Sequence, residues 1–238
     1  MKKIIFALLS ALLLVSCNFI DDGIYIKDYS ILVNVVDANT FKSDDGVVFN
    51  VVELACDRNY EKLTRVLIEC DVLDTGNNDM ESTKSCDIKL TSYHEIEIKP
   101  MVKLAEPGDV VLGNDPAEIE YVWFSGKYLN IQYRYTLVAD SKTKHDVNLV
   151  IDYEKSDASN WYFVLKHEGY GETFSNEEVD ASKIIIVSDI VSYDISWLKN
   201  ESNSSVNANY SWVWYKQSDF GYLVRDVETL EGSQTVTY

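Results

Sequence analysis

Histidine, proline and glycine are scarce in this chain of 238 residues, which holds three, three and ten of them. So little proline and glycine excludes collagen-like repeats and long Pro/Gly linkers. Three histidines leave few groups for imidazole chemistry. The four cysteines, Cys17, Cys56, Cys70 and Cys86, fit no zinc spacing. Basic residues are also few, 21 against 39 acids, for a formal net charge of −18. Divided after Asp115, both halves of the chain beyond residue 16 are strongly acidic, so neither offers a basic patch for phosphates, and nucleic-acid binding is disfavoured. The longest apolar run, Ile4 to Val15 broken by Ser10, holds about 12 residues against the about 20 of a membrane span.

That run is informative for another reason. Lys2 and Lys3 precede it, and Leu14-Val15-Ser16-Cys17 completes a lipobox. The start resembles a bacterial lipoprotein signal, with residues 1–16 removed and Cys17 lipidated. Such proteins typically carry three acyl chains, which hold them firmly at the membrane. Asp21 and Asp22, in a tether spanning 17–27, are similar to the surface-export signals of Bacteroidota lipoproteins. The expectation is an outer-membrane, lipid-anchored protein displayed at the cell surface. Its acidic body meets the membrane only through that lipid, since an anionic lipid surface repels it.

What the remaining chain does have is apolar material: 46% hydrophobic residues, with 16 tyrosines and five tryptophans. That suffices for packed cores. The export compartment permits disulfides. Cys70 alternates with Val66, Ile68 and Val72 on an apolar face and reads as a small buried hydrophobe. Cys56–Cys86 is then the preferred pair.

Strand patterns fill the sequence. Ser30 to Val36, Gly46 to Leu54, Arg65 to Leu73 and His94 to Leu104 give four or five strands suited to a small barrel over 28–104, with Pro100 bending the last. One short helix fits between Cys56 and Leu63. Turn signals at Glu106-Pro107-Gly108-Asp109 and Gly113-Asn114-Asp115-Pro116 place a linker at 105–116. Beyond it, over 117–238, Glu118 to Phe124 and Tyr128 to Val138 form a hairpin through Ser125-Gly126-Lys127. Leu129, Ile131, Tyr133, Tyr135 and Leu137 alternate with polar residues, as a half-buried strand requires. Further strands at Asp146 to Tyr153, Trp161 to His167, Lys183 to Tyr193, Tyr210 to Lys216 and Tyr222 to Thr229 argue for an antiparallel sandwich. The fold class is all-β.

Several segments together carry a resemblance: Arg65-Val66-Leu67-Ile68, Lys99-Pro100-Met101-Val102, Gly113-Asn114-Asp115-Pro116, Val122-Trp123 and Gly126-Lys127-Tyr128-Leu129-Asn130. His145-Asp146-Val147-Asn148-Leu149-Val150, Leu165-Lys166-His167 and Ile190-Val191-Ser192-Tyr193-Asp194-Ile195 complete it. In this order they resemble the NigD-like lipoproteins of Bacteroidota. The resemblance implies an N-terminal OB-like barrel and a C-terminal β-sandwich. The tail from Gln217 to Tyr238 runs longer than the family pattern. The family takes its name from a gene near a bacteriocin locus, which supplies an accessory or immunity role as a reading but names no activity.

There is no G-x-S-x-G elbow, no H-E-x-x-H pair and no Gly-rich phosphate loop. His94, His145 and His167 each read as structural at strand ends. Adjacent acids (Asp44-Asp45, Glu177-Glu178, Glu118 with Glu120) are expected by chance among 39, and glycosidic cleavage needs two facing across a cleft. Asp74 to Glu81 offers oxygen ligands without calcium-loop spacing. No metal or cofactor is implied. Tyr210, Trp212 and Trp214 share one strand face, and Trp161 belongs to Trp161-Tyr162-Phe163. These rings suit a core, or else a platform for sugars. The expected function is non-enzymatic: a binding or interaction module for an envelope protein, with a surface glycan-binding role as the alternative.

Overall fold

The computed structural model describes residues 26–74, 84–103, 112–198, 205–218 and 222–237. Cys17, Asp21 and Asp22, with most of the tether, lie outside the described residues. The same holds for 75–83 and for residues 105–111 of the expected linker. The chain divides into two units, Met1–Glu95 and Ile96–Tyr238.

The first unit contains β1 (Ile26–Asp37), β2 (Thr40–Ser43), β3 (Val48–Leu54), β4 (Arg65–Asp74) and β5 (Ser85–Glu95). They close into a barrel in the order β1-β2-β3-β5-β4, with β3 and β5 parallel and β4 returning to β1. This is the five-stranded OB-like connectivity. A period of two drives it: Val66, Ile68, Cys70 and Val72 on β4 and Cys86, Ile88 and Leu90 on β5 all point into the core. The short helix expected after Cys56 is a single 3-10 turn at Asn59–Lys62. It buries Tyr60 fully, with its ring 5.1 Å from Phe41 and 5.3 Å from Tyr93. The Tyr60 hydroxyl donates to the Ala38 carbonyl at 2.8 Å, which satisfies its polar end. Arg65 is also buried, clamped by both carboxylate oxygens of Asp44 at 2.8 and 2.6 Å.

The expected Cys56–Cys86 bridge is corrected: Cys56, Cys70 and Cys86 are free thiols. The register explains this. Cys86 lies opposite Phe49 on the parallel β3, and Cys56 lies seven residues farther along that direction, beyond the strand end. At about 3.3 Å per residue, Cys56 is carried well outside the ~7 Å Cα separation that a disulfide spans. Burial pushes the Cys70 thiol up to about 12 and the Cys86 thiol up to about 11, so both are inert, protonated core residues at neutral pH.

The second unit begins earlier than the sequence suggested. The pattern His94 to Leu104 is not one strand; β5 ends at Glu95, and the chain then enters β6 (Glu97–Lys99) and β7 (Val102–Lys103). These two pair in parallel with strands of opposite sheets, so Pro100 and Met101 carry the chain across the sandwich. The domain boundary therefore falls at Glu95–Ile96, not within 105–116. Alternation in Glu95-Ile96-Glu97-Ile98 runs unbroken through the boundary, which is why periodicity concealed it.

The other strands are β8 (Ala117–Ser125), β9 (Tyr128–Val138), β10 (Asp146–Ile151), β11 (Asn160–Glu168), β12 (Ile184–Asp194), β13 (Ser205–Gln217) and β14 (Leu223–Thr237). They form one sheet in the order β14-β13-β11-β10-β7 and a second in the order β6-β12-β9-β8. Gly126 turns the β8–β9 hairpin with φ +53, as its position promised. Most pairings are antiparallel, but β11 and β13 run parallel, because β12 crosses to the other sheet between them. Leu129, Ile131, Leu149, Phe163, Leu165, Val191 and Tyr193 fill the space between the layers. The long tail becomes β14, paired antiparallel with β13 over most of its length. Its Gly232 faces Tyr210, and a Cβ there would come within 2.4 Å of the ring.

Candidate binding surface

Two histidines that the sequence treated separately meet in the second unit. The His167 Nδ1–H donates to the Pro116 carbonyl at 3.0 Å, because a carbonyl only accepts. That leaves Nε2 of His167 bare, so it accepts from the His145 Nδ1–H, also at 3.0 Å. Both side chains are buried, and Tyr135 lies about 5 Å from each ring. Desolvation, helped by the neighbouring His145, lowers the His167 pKa to about 4, and burial lowers that of His145 as well. Asp115 joins the cluster: its amide donates to the His167 carbonyl, and its carboxylate accepts from the Gly169 amide at 2.8 Å. Gly113 passes so close to the His167 carbonyl that a Cβ would clash at 2.4 Å. The neutral pair thus pins the 113–116 segment to β10 and β11. Its chemistry is that of a structural lock.

Two of the acid pairs are similarly engaged. Asp44 holds Arg65, and Glu118 pairs with Arg134. Among the described residues, no group of three or more His, Cys, Asp or Glu converges as a metal site would.

The aromatic platform drawn from Trp161, Trp212 and Trp214 is corrected. Trp161 and Trp214 are buried, and Trp212 packs against the sandwich core, stacked on Tyr210 at 6.2 Å. Trp161 and Trp214 are enclosed and cannot receive a sugar, which leaves the half-buried Trp212 without the platform expected around it. The exposed aromatic pair lies elsewhere: Tyr153 and Trp197 are each 42% exposed, with ring centroids 6.2 Å apart.

Turns hold that pair in place. Tyr153 sits where Lys155 meets Asp152 at 3.0 Å and the Ser156 amide returns to the Asp152 carbonyl. Trp197 follows a turn in which Asp194 accepts from the Ser196 amide and pairs with Lys127 at 3.0 Å. The two turns leave the C-terminal ends of β10 and β12. At the same end, β11 and β13 begin and β14 finishes.

There the register aligns a polar face across three strands. Asn160, Asn207 and Thr235 form one row; Tyr162, Asn209 and Ser233 form the next. Asn207 donates to Asn160 and accepts from Thr235 at 3.1 Å, while Asn209 donates to the Trp161 carbonyl at 3.2 Å. A shallow depression of about 460 Å3 lies over Asn160, Asn207, Asn209, Ser233, Gln234 and Thr235, none of them charged. Sequence reasoning missed these residues, since asparagine and serine read as turn formers. Only the pairing of β11, β13 and β14 assembles them.

The comparisons with known proteins bear on the same unit. The family model described as NigD-like C-terminal beta sandwich domain matches residues 100–219, half of the chain. The chain belongs to the NigD-like family. No curated protein matches it. Among solved structures, a protein of unknown function from Bacteroides vulgatus is 18% identical, with a TM-score of 0.59 over 88% of this chain and 90% of its own. A NigD-like immunity protein from Bacteroides caccae is 17% identical, with a TM-score of 0.56 over 84% and 91%. A candidate lipoprotein from Bacteroides fragilis is 18% identical, with a TM-score of 0.55 over 89% and 98%. At these identities the likeness is one of fold. The NigD-like match ends before β14 begins, so this strand and the Ser233–Thr235 part of the polar face lie beyond the region the family model covers.

Proposed function

We propose that this NigD-like protein is a non-enzymatic binding module of the cell envelope, anchored in the outer membrane through a lipid on Cys17 and displayed at the surface. Its partner is an envelope protein that adds a strand to the open edge of β14. The observation that carries this reading is the edge itself. β14 runs for 15 residues and, among the described residues, pairs with β13 alone. A long unpaired edge offers backbone donors and acceptors to another chain, and strand addition uses them for affinity. Asp226, Glu228 and Glu231 are exposed along it, which suits a partner strand with basic residues.

Crosslinking on intact cells, followed by capture of the tagged protein, tests this. One envelope protein should be recovered repeatedly with the natural chain and lost when Val227→Lys and Thr229→Lys place cations on the edge. Recovery that is indifferent to the edge variant contradicts the reading. A second reading, an accessory or immunity role in a bacteriocin system, takes its support from the likeness to the NigD-like immunity protein of Bacteroides caccae. Deletion of the gene without change in bacteriocin production or sensitivity removes it.

A further inference from the structure

The uncharged face and the exposed aromatic pair occupy the same end of the sandwich, and their chemistries are complementary. We propose that this end binds a neutral, hydroxyl-rich glycan, with Tyr153 and Trp197 stacking on sugar faces and Asn160, Asn207 and Asn209 taking the hydroxyls.

Four observations support it. First, the lining of the depression is free of charge on a chain with a formal charge of −18 in which a quarter of all residues are charged. A site for an ionic ligand would hold at least one counter-charge; here Lys155, Asp157 and Glu231 stay outside the lining. Second, the amides are fixed before any ligand arrives. Asn207 is held between Asn160 and Thr235 with one bond on an amide nitrogen that carries two N–H groups. Asn160 instead donates to both oxygens of Asp157, and Asn209 to the Trp161 and Asn207 carbonyls, so these two meet hydroxyls through their amide oxygens, each with two lone pairs. Third, the rows cross strands about 4.8 Å apart, close to the length of one pyranose ring, so successive amides meet successive sugars. Fourth, Tyr153 and Trp197 present aromatic surface from two braced turns, and apolar rings kept 42% exposed by tight turns are placed for contact outside the chain. Acidic polysaccharides are excluded by the net charge.

This site is separate from strand addition, which uses the backbone of the β14 edge, so either can fail alone. The test is calorimetric titration of the full mature chain with neutral gluco-, manno- and xylo-oligosaccharides, with polygalacturonate as the charged control. At least one neutral series should bind, polygalacturonate should not, and Trp197→Ala and Asn207→Ala should each weaken binding about tenfold with unchanged thermal melts. In the natural chain, the indole N–H resonance of Trp197, assigned by multidimensional NMR of that chain, should shift on titration; this readout stands even if a variant is unstable. Absence of binding across the panel overturns the proposal. So does binding that ignores both substitutions and leaves that resonance unmoved.

Discussion

The buried Arg65 and His167 side chains come with partners, and the partners set what each substitution costs. Arg65 is fully buried with Asp44 on both terminal guanidinium nitrogens. Removing Asp44 takes the carboxylate from a fully buried guanidinium that also donates to Asn34 at 3.2 Å, so Asp44→Ala should destabilise the barrel by about 3–5 kcal/mol, whereas the double change Arg65→Met with Asp44→Leu should recover most of that loss. Urea unfolding of the three variants checks it. The histidine pair makes a second claim, about pH. Its folded pKa values lie below the ordinary 6.5, that of His167 at about 4, so between these limits the unfolded chain binds protons that the folded chain does not. The pair's contribution to stability is therefore complete above pH 6.5, falls as the pH drops toward 4 and levels off below it, where only other groups still titrate. His167→Phe should flatten that slope in a series of melts, whatever it does to stability at neutral pH. None of this pairing was legible from residues read singly. Each histidine sat at an ordinary strand end, and its partner lay 22 positions away.

Elements were legible in proportion to their alternation. β9, with apolar residues at every second place from Leu129 to Tyr135, and its hairpin to β8 followed from pattern and turn chemistry. β5 was missed although Cys86, Ile88 and Leu90 alternate into the core, because the run is only three apolar residues long, Ser92 ends it, and turn signals precede it. The second half of β14 was missed likewise, through Glu231-Gly232-Ser233-Gln234. Its first half is held by a contact that no periodicity reports. The Arg225 guanidinium donates to the carbonyls of Phe174 and Val179 at 2.9 Å and to that of Asn176, and it lies over the Phe174 ring. Arg225→Ala strands these carbonyls and should cost about 1–3 kcal/mol. Hydrogen exchange should show the loss as faster exchange confined to 171–180 and the start of β14, with β9 and β12 unchanged.

At the scale of the whole molecule, composition set the limits and topology supplied the content. The alternating strand patterns of this acidic, apolar-rich chain imply an all-β fold, and the barrel and sandwich are of that class. The surfaces proposed for binding were not readable in advance. The edge depends on where the last strand docks, and the glycan face depends on the register among strands that begin at 160, 205 and 223. The central claim is that the β14 edge is where an envelope protein attaches. A photoreactive residue at Thr229 on that edge, compared with one at the exposed Val52 of the barrel, tests it most directly on living cells. The expected result is a discrete adduct with one envelope protein from position 229 and none from position 52. Adducts of equal yield from both positions, or none from 229, would contradict it.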